Sequence, residues 1–301
     1  MIIMISAILR RAYAVAGFYI RRIRSCFSYY SSAELRKFFV DYMNVRAREL
    51  GATSSFFSDA SGYLSDTSKT SALDMLHILV YAVGLRHITE VWNRQEYLMR
   101  IDGPNKRTVT VNSTLNDFRL KDKGSFLGGK TGTVPELSYN LMWCSRMPDQ
   151  SVFACVLIGA SDAPSRLEDY SLIQKSITER DFSIINNANS KALAGCILPS
   201  FLYISGNQDM NLVISKKEDM AGIPASLTKV MSLICACDYI HDFHTRVRIK
   251  KSDICKGSGN NLRKGDRVTI QDLFHDMLLS SSNTASNALA RYVGREIIKS
   301  L

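Results

Sequence analysis

Apolar residues recur with helical spacing in the first part of the chain. Residues 34–50 (ELRKFFVDYMNVRAREL) predict an amphipathic helix that ends at Gly51. Residues 71–83 (SALDMLHILVYAV) predict a second helix, which ends at Gly84. Residues 107–112 (RTVTVN) instead alternate between polar and β-branched positions, which predicts a strand.

Strand-like stretches dominate the middle of the chain. Residues 128–134 (GGKTGTV), 138–146 and 151–160 predict three strands. Residues 166–177 then predict a helix, and the polar stretch at 179–191 has the composition of a linker. The chain thus divides into two parts that this linker joins.

Strands and then helices follow the linker. Residues 196–204 and 209–215 predict the two strands of a hairpin. Residues 226–236 (SLTKVMSLICA) predict an apolar helix. A short basic strand and two further helices are predicted at residues 245–250, 270–279 and 284–300. The whole order predicts an α+β fold.

Length and charge add an N-terminal extension to this picture. The 301 residues, 46% hydrophobic, suffice for one large domain or two small ones. Half of the net charge of +10 comes from residues 1–31, where Arg10 and Arg11 separate two short apolar runs. Each run is too short to span a bilayer. We exclude this segment from the fold; an anchor at the membrane surface and a disordered or mis-assigned extension both stay open.

A second basic cluster lies at Arg246, Arg248, Lys250 and Lys251. It has no interleaved aromatic residues and no nucleic-acid motif, so we interpret it as a solvated basic edge and expect no nucleic-acid partner. A positive surface still attracts anionic cell-wall polymers or lipid headgroups.

The cysteine and histidine patterns indicate no metal site. Seven cysteines show no zinc or redox spacing, and most lie in apolar runs, so we interpret them as small core residues; a disulfide between two of them stays open. His241 and His244 form the closest histidine pair, without a third ligand type near them in the sequence. We expect no metal and no organic cofactor.

The predicted helix at 226–236 begins with S-x-x-K, formed by Ser226 and Lys229. Residues at i and i+3 share a helix face, so a hydroxyl and an amine lie side by side. A neutral lysine can make such a hydroxyl nucleophilic, and the helix N-terminus favours negative charge that develops beside it. One S-x-x-K is expected by chance in roughly every chain of this size, so the motif needs partners.

Two further motifs supply candidate partners. Lys130, Thr131 and Gly132 form K-T-G on a predicted strand, where a lysine can bind a carboxylate and a glycine allows close approach of a backbone. Ser281 and Asn283 form S-x-N between two predicted helices. Other S-x-N matches, at 205–207 and 258–260, lie in turn-like stretches where Ser, Gly and Asn are expected anyway.

S-x-x-K, S-x-N and K-T-G together resemble the penicillin-recognising serine hydrolases. The flanking stretches PASLTKVMS, MNVRARELGATSSFF and GGKTGTVPELSYN are similar to D-alanyl-D-alanine carboxypeptidases of the low-molecular-mass penicillin-binding type. The resemblance implies a five-stranded antiparallel sheet flanked by helices, together with an all-helical lobe.

The order of the motifs differs from that family. Residues 32–178 resemble its C-terminal half and residues 192–301 its N-terminal half, which predicts a circular permutation. Three explanations stay open: a permuted single domain, a domain-swapped dimer whose halves pair between chains, and a fragment or artefact of sequence assembly.

The resemblance also implies roles for the motif residues. Ser226 would attack the peptide bond between two terminal D-alanines, Lys229 would take its proton, and Ser281 would pass a proton to the leaving amine. The residues implied in substrate binding are Asn283 for the amide, Lys130 and Thr131 for the terminal carboxylate, Gly132, and Thr133 as an oxyanion donor with Ser226.

The implied substrate is a peptidoglycan stem peptide, with β-lactam antibiotics as acylating inhibitors and a location outside the cytoplasm. Two departures stand against a simple transfer: Thr284 replaces the usual Asp, and residues 1–31 make no convincing export signal. Two alternatives stay open. One is an inactive or incomplete peptidoglycan-binding relative. The other is a β-lactamase. A class A β-lactamase is disfavoured, because between S-x-N and K-T-G in family order no glutamate has the required Asn four residues later.

Overall fold

The computed structural model describes residues 30–63, 67–121, 126–146, 152–179, 181, 193–197 and 212–301. It confirms the α+β class. The α-helices of these residues are α1 (Ser32–Glu49), α2 (Ala72–Val83), α3 (Arg86–Trp92), α4 (Asn116–Lys121), α5 (Ala163–Glu179), α6 (Thr228–Cys237), α7 (Ile270–Leu278) and α8 (Asn283–Ser300).

Short 3-10 turns at Ala225–Leu227 and Lys251–Asp253 separate some of these elements. The strands are β1 (Glu96–Ile101), β2 (Arg107–Asn112), β3 (Phe126–Val134), β4 (Ser138–Arg146), β5 (Val152–Ala160), β6 (Leu193–Ile197), β7 (Leu212–Lys216), β8 (Arg246–Arg248) and β9 (Arg267–Thr269).

Strands from both parts of the chain form one antiparallel sheet in the order β3-β4-β5-β6-β7. The K-T-G strand β3 is its edge strand. The central strands are apolar on both faces because helices cover both. Leu141 and Trp143 pack with Tyr170 of α5 on one face, whereas Met142 and Cys144 face the core that includes α2.

The helical lobe is built around α6, whose residues are almost all buried. Helix α1 lies against α8 at Gly294, where an added Cβ would come within 1.9 Å of the carbonyl oxygen of Leu35. Only a residue without a side chain allows the two helices to approach so closely. This contact joins the first helix of the described chain to the last.

Two small ribbons complete the lobe. Strands β1 and β2 pair as one antiparallel ribbon, and β8 and β9 pair as another. A bridge between Asp102 and Arg267 links the two ribbons. The cleft between them is considered below.

Most predicted elements are present, with differences at their ends. The predicted helix at 226–236 is wrong at its start, since Ser226 lies in a 3-10 turn and the α-helix begins at Thr228. The short basic strand covers only Arg246–Arg248. Strands β1 and β9 and helices α3 and α4 were not predicted from the sequence. Ser31, assigned to the extension, caps α1 by accepting from the backbone N–H of Glu34.

Several predictions fall wholly or partly outside the described residues. These are the extension up to residue 29, almost all of the 179–191 linker, and the hairpin turn between the strands predicted after it. No helix in the described ranges combines the length and apolarity that crossing a bilayer requires.

The interpretation of the cysteines as core residues is confirmed for Cys144 and Cys235, which are free and buried. Cys155 is also buried in the core, and it forms a disulfide. Cys237 and Cys255 are free and only partly buried.

Candidate active site

Ser226 lies in the 3-10 turn Ala225–Leu227, at the entrance to α6. Both neighbouring residues are buried, whereas Ser226 is partly exposed. Ala225 has a φ of 48°, a left-handed conformation that is costly for a residue with a side chain. The sharp turn thus presents one accessible hydroxyl above a buried helix.

The sheet holds this turn in place through Asn140 on β4. Its Nδ2 donates to the carbonyl oxygens of Ile223 (2.7 Å) and Pro224 (3.3 Å). Gly132 lies opposite Asn140 in the strand register, and a Cβ on Gly132 would come within 3.0 Å of the Pro224 oxygen. Sequence analysis reserved the space at Gly132 for a substrate backbone. In the structure the nucleophile turn occupies that space.

Lys229 is fully buried and makes three polar contacts. Its Nζ lies 2.7 Å from Ser226 Oγ, 2.8 Å from the carbonyl oxygen of Ser61 and 2.9 Å from Asn283 Oδ1. The Asn283 amide orientation is fixed because its Nδ2 donates to the carbonyl oxygen of Lys256. Two of the three neighbours of Lys229 can therefore only accept hydrogen bonds.

This geometry determines what a neutral Lys229 would do. A neutral amine has two N–H donors and one lone pair, and Ser61 and Asn283 take the two donors. The lone pair is then directed at Ser226 Oγ, which would donate its proton to Lys229. Burial lowers the pKa of Lys229 to about 7, against the opposing influence of Asp59, Cys255 and Asp276. The neutral form is thus accessible near neutral pH.

The Ser61 carbonyl belongs to a loop that Asp59 organises. Asp59 Oδ1 accepts from the backbone N–H groups of Ser61 (2.6 Å) and Gly62 (2.9 Å). Gly62 has a φ of 74°, and a Cβ there would lie 1.8 Å from the carbonyl oxygen of Ala225. The loop therefore packs directly on the turn that carries Ser226. The sequence did not predict this contact, because a hydrogen bond made by a main-chain carbonyl leaves no residue signature.

The S-x-N residues lie in the short connection between α7 and α8. Ser281 is buried and has a φ of 65°. Its hydroxyl has no hydrogen-bond partner among the described residues. Ser282 caps α8 by accepting from the N–H of Ala285, and its own N–H donates to the Asp276 carbonyl oxygen. The connection is thus fixed on both sides while the Ser281 hydroxyl stays available.

A loop after the second 3-10 turn is held against the S-x-N residues. Thr284 Oγ1 accepts from the N–H of Cys255 (3.1 Å), in addition to the bond between Asn283 and the Lys256 carbonyl. A Cβ on Gly257 would come within 2.5 Å of Asn283 Nδ2. Thr284 therefore joins this loop to α8. Asn283, predicted to bind the substrate amide, uses its own amide to contact Lys229 and this loop.

Lys130 is also fully buried, but its Nζ donates only to the carbonyl oxygen of Thr131 (2.8 Å) among the described residues. Burial, reinforced by the positive charges of Lys229 and Arg166, lowers its pKa well below the usual value. No hydrogen bond joins Lys130 to Ser281 in the described part of the chain. A charged Lys130 therefore has donors to spare and no acid beside it.

Thr131 and Thr133 of strand β3 lie at different depths. Thr131 is buried and its hydroxyl lies 2.9 Å from that of Thr114, whereas Thr133 is exposed and accepts from Arg166 Nη1 at 3.2 Å. Arg166 of α5 stacks near the rings of Phe118 and Tyr139, which fix its guanidinium beside the strand. Sequence analysis missed Arg166, since nothing in a helical pattern distinguishes one arginine on its surface.

The arrangement has two chemically different sides. A serine hydroxyl, a buried amine and a second free hydroxyl form one side, which suits nucleophilic attack and proton transfer. The other side is the K-T-G strand with two cations on opposite faces of the sheet. Lys130 is buried opposite Met142, and Arg166 of α5 donates to the Thr133 hydroxyl; either cation suits an anion. Among the described residues, no group of three or more His, Cys, Asp or Glu side chains could hold a metal ion.

A match to a known protein family covers the side of the site that carries the serine hydroxyls and the buried amine. Residues 200–301 match the model of the β-lactamase enzyme family, about a third of the chain, including S-x-x-K and S-x-N. The K-T-G strand lies outside that match. The search of curated proteins and the search of solved structures each found no match. This part of the chain is thus similar to serine hydrolases of the β-lactamase type.

Proposed function

We propose that the protein is a serine-type D-Ala-D-Ala carboxypeptidase that acts on peptidoglycan stem peptides through an acyl-enzyme. The observation that carries the proposal is the contact of 2.7 Å between Lys229 Nζ and Ser226 Oγ. Because Ser61 and Asn283 occupy the amine donors, a neutral Lys229 is already oriented as a base. The same site would be acylated by β-lactam antibiotics.

The reaction would proceed in two steps. Ser226 Oγ bonds to the peptide carbonyl carbon as its proton moves to Lys229 Nζ. The carbon–nitrogen bond then breaks, and the leaving D-alanine amine takes a proton through the free Ser281 hydroxyl, which leaves an ester on Ser226. Water then attacks this ester and releases the shortened peptide. The backbone N–H groups of Ser226 and Thr133 would stabilise the oxyanion in both steps.

Recognition of a terminal carboxylate explains the cationic side. A carboxylate near Lys130, Thr133 and Arg166 would favour the charged form of Lys130, which burial disfavours in the free protein. Strand β3 is the edge of the sheet, so alternate backbone groups are directed away from β4. An extended peptide could pair with such an edge. A peptide that ends in a carboxylate combines both features.

A β-lactamase is the second candidate because the matched family model bears that description. Rapid release of an acylated antibiotic needs a base that activates water. The carboxylates that influence Lys229 are Asp59 and Asp276. Asp59 accepts backbone N–H groups, and the fully buried Asp276 accepts from Asn261 and Ser280, so neither is placed beside Ser226 to activate water. We therefore expect a long-lived penicilloyl-enzyme.

We also propose that the chain is a circularly permuted single domain. Strands β5 and β6 come from opposite sides of the linker and pair in antiparallel register from Ala154 with Ile197 to Ile158 with Leu193. Helix α1 packs on α8 within the same chain. Both contacts support a monomer over a swapped dimer. A sizing column run at several concentrations tests this, since a swapped pair would elute at twice the mass.

Labelling with a fluorescent penicillin tests the proposed nucleophile. The wild-type protein should take up the label and keep it through denaturation, whereas Ser226→Ala should not. Ser252→Ala is the matched control, because Ser252 is exposed and only its carbonyl oxygen has a partner, Arg36. An unlabelled wild type would contradict the acyl-enzyme, and equal labelling of Ser226→Ala would contradict the assignment of Ser226.

Product analysis separates the two candidate activities. Release of D-alanine from a pentapeptide, with slow loss of the penicilloyl label, would identify a carboxypeptidase. Rapid antibiotic hydrolysis without D-alanine release would identify a β-lactamase. Labelling without either reaction would identify a binding relative. The carboxypeptidase substrate lies outside the cytoplasm, so labelling of intact cells with an impermeant penicillin tests the proposed location.

A further inference from the structure

A cleft of about 840 Å³ lies between the β1–β2 ribbon and the β8–β9 ribbon of the helical lobe. Its walls carry the basic side chains of Arg100, Lys106, Arg107, Arg246 and His244. Two acids, Asp102 and Asp272, are also present there. Neither S-x-x-K, S-x-N nor K-T-G contributes to this lining.

The acids of this region are already engaged. Asp102 pairs with Arg246, and the buried Asp266 pairs with Arg107 at 2.9 Å. Asp272 accepts from the hydroxyl of Tyr97 and from the backbone N–H of Thr269. The hydrogen bonds of Asp272 come from neutral groups, so it keeps its charge, and the lining sets four cationic side chains against two carboxylates.

The basic face continues along the β8–β9 ribbon. Val247 and Val268 are buried on its inner side, so Arg246, Arg248 and Arg267 share the outer side. Arg248 and Arg267 lie directly opposite each other in the register. Like charges at opposed positions destabilise a strand pair, so the fold itself gains nothing from this placement.

Cations without an ion pair therefore concentrate in one area. Arg100, Lys106, Arg248 and Arg267 are all exposed and form no ion pair with any described residue. Arg100 and Lys106 line the cleft, and the bridge between Asp102 and Arg267 brings the end of β1 beside β9, so the ribbon that carries Arg248 and Arg267 adjoins it. The combined positive field would attract an anionic ligand.

We propose that this cleft and the adjoining ribbon bind a linear polymer of phosphodiester groups. Guanidinium forks match the geometry of phosphate oxygens. The two charged oxygens of one phosphodiester can accept from Arg248 and Arg267 at once, because these arginines lie opposite each other in the register. The open ribbon beyond the cleft allows a chain to continue past it. This site is independent of the proposed peptidase activity.

A nucleic acid fits the same surface less well. Single-stranded nucleic acids stack their bases on exposed aromatic rings. The aromatic residue that lines the cleft, Tyr97, stacks on His275 at 3.7 Å and donates its hydroxyl to Asp272. Its ring is therefore engaged within the protein. Among the described residues of the cleft, only the exposed ring of His244 remains for a base, whereas the charged side chains suit a phosphate chain.

Fluorescence anisotropy with a labelled glycerol phosphodiester polymer tests the proposal on the full chain. Arg248→Gln/Arg267→Gln should weaken binding roughly tenfold or more, and the salt dependence should become shallower. Lys121→Gln/Lys175→Gln is the control, since it removes two exposed charges elsewhere and should change affinity less than twofold. Circular dichroism and urea unfolding of each variant check that the protein is folded.

Two other ligands give the result that would overturn the proposal. Polyglutamate of equal charge and an oligothymidylate of equal length should both bind at least several-fold more weakly than the phosphodiester polymer. Equal affinity for polyglutamate would reduce the site to general charge attraction. Equal affinity for the oligonucleotide would assign it to nucleic acid. An equal loss in both double variants would contradict the location.

Discussion

The two buried lysines of the candidate site have opposite surroundings. Every polar contact of Lys229 is made by the chain itself, through Ser226, Ser61 and Asn283. Lys130, equally buried, contacts only the carbonyl oxygen of the next residue among those described. The first lysine is therefore organised before any ligand arrives, whereas the second has donors that a ligand could use. We infer that the site prepares its proton transfer in advance and completes its anion recognition on binding.

Replacing Lys229 by Met should have the largest effect on acylation by penicillin. The change removes the base but keeps much of the side-chain volume, so acylation by penicillin should fall by about a thousandfold or more. It also leaves the Ser61 oxygen and Asn283 Oδ1 without their donor, which should lower the free energy of unfolding by about 1–3 kcal/mol. Stopped labelling reactions and urea unfolding measure the two effects.

The matched control is Ser232→Ala on the same helix. Ser232 is buried and donates to the carbonyl oxygen of Ala60, but it does not touch Ser226. It should lose comparable stability and keep normal acylation. A Lys229→Met protein that still acylates at the wild-type rate would remove Lys229 from the reaction.

Lys130→Met should lower acylation less than Lys229→Met does. Its effect on the free energy of unfolding should also differ, since no loss of stability is expected. Removing a buried amine that has one hydrogen bond and like charges near it should leave stability unchanged or raise it. Acylation should fall about a hundredfold for a penicillin with a free carboxylate, because that ligand loses its ion pair.

The methyl ester of the same penicillin sharpens this test. It has no carboxylate, so it should react slowly with the wild type and equally slowly with Lys130→Met. If the variant slows both ligands by the same factor, Lys130 acts on the reacting atoms and the proposed division of the site is wrong.

The candidate site also shows which residues could be predicted from the sequence and which could not. S-x-x-K and S-x-N led to Ser226 and Lys229 and to Ser281 and Asn283, because these side chains are themselves the motif. The Ser61 carbonyl and the Asn140 amide could not be found in this way. One is a main-chain atom, and the other depends on a strand register that brings β4 beside the turn before Ser226.

The missed elements have equally physical reasons. Helices α3 and α4 are too short for a helical period to show. In β1, three consecutive apolar residues, Tyr97, Leu98 and Met99, conceal the alternation, although Leu98 is exposed and Met99 is buried. The α+β class needed only the order of the longer elements, which is why it could be predicted.

The pH dependence of acylation should show the smallest effect, about tenfold per pH unit below the pKa of Lys229. Lys229 must be neutral to act as the base, so the rate should rise with pH and level off above a midpoint of about 7. The free energy of unfolding should depend on pH through the same lysine. Its folded pKa of about 7 lies below the usual 10.5, so the unfolded chain binds more protons between these values, and stability should rise with pH across this window.

Lys229→Met provides the comparison, since it removes this titration and should flatten both profiles. Lys130 adds a contrasting signal. Its lowered pKa means that charge is lost as pH rises, so acylation by a carboxylate-bearing penicillin should decline at high pH, whereas the methyl ester should show no decline. Rates measured from pH 5 to 10 with both ligands test this directly. A rising limb that survives in Lys229→Met would assign the base to another group, and identical profiles for the two ligands would separate Lys130 from anion recognition.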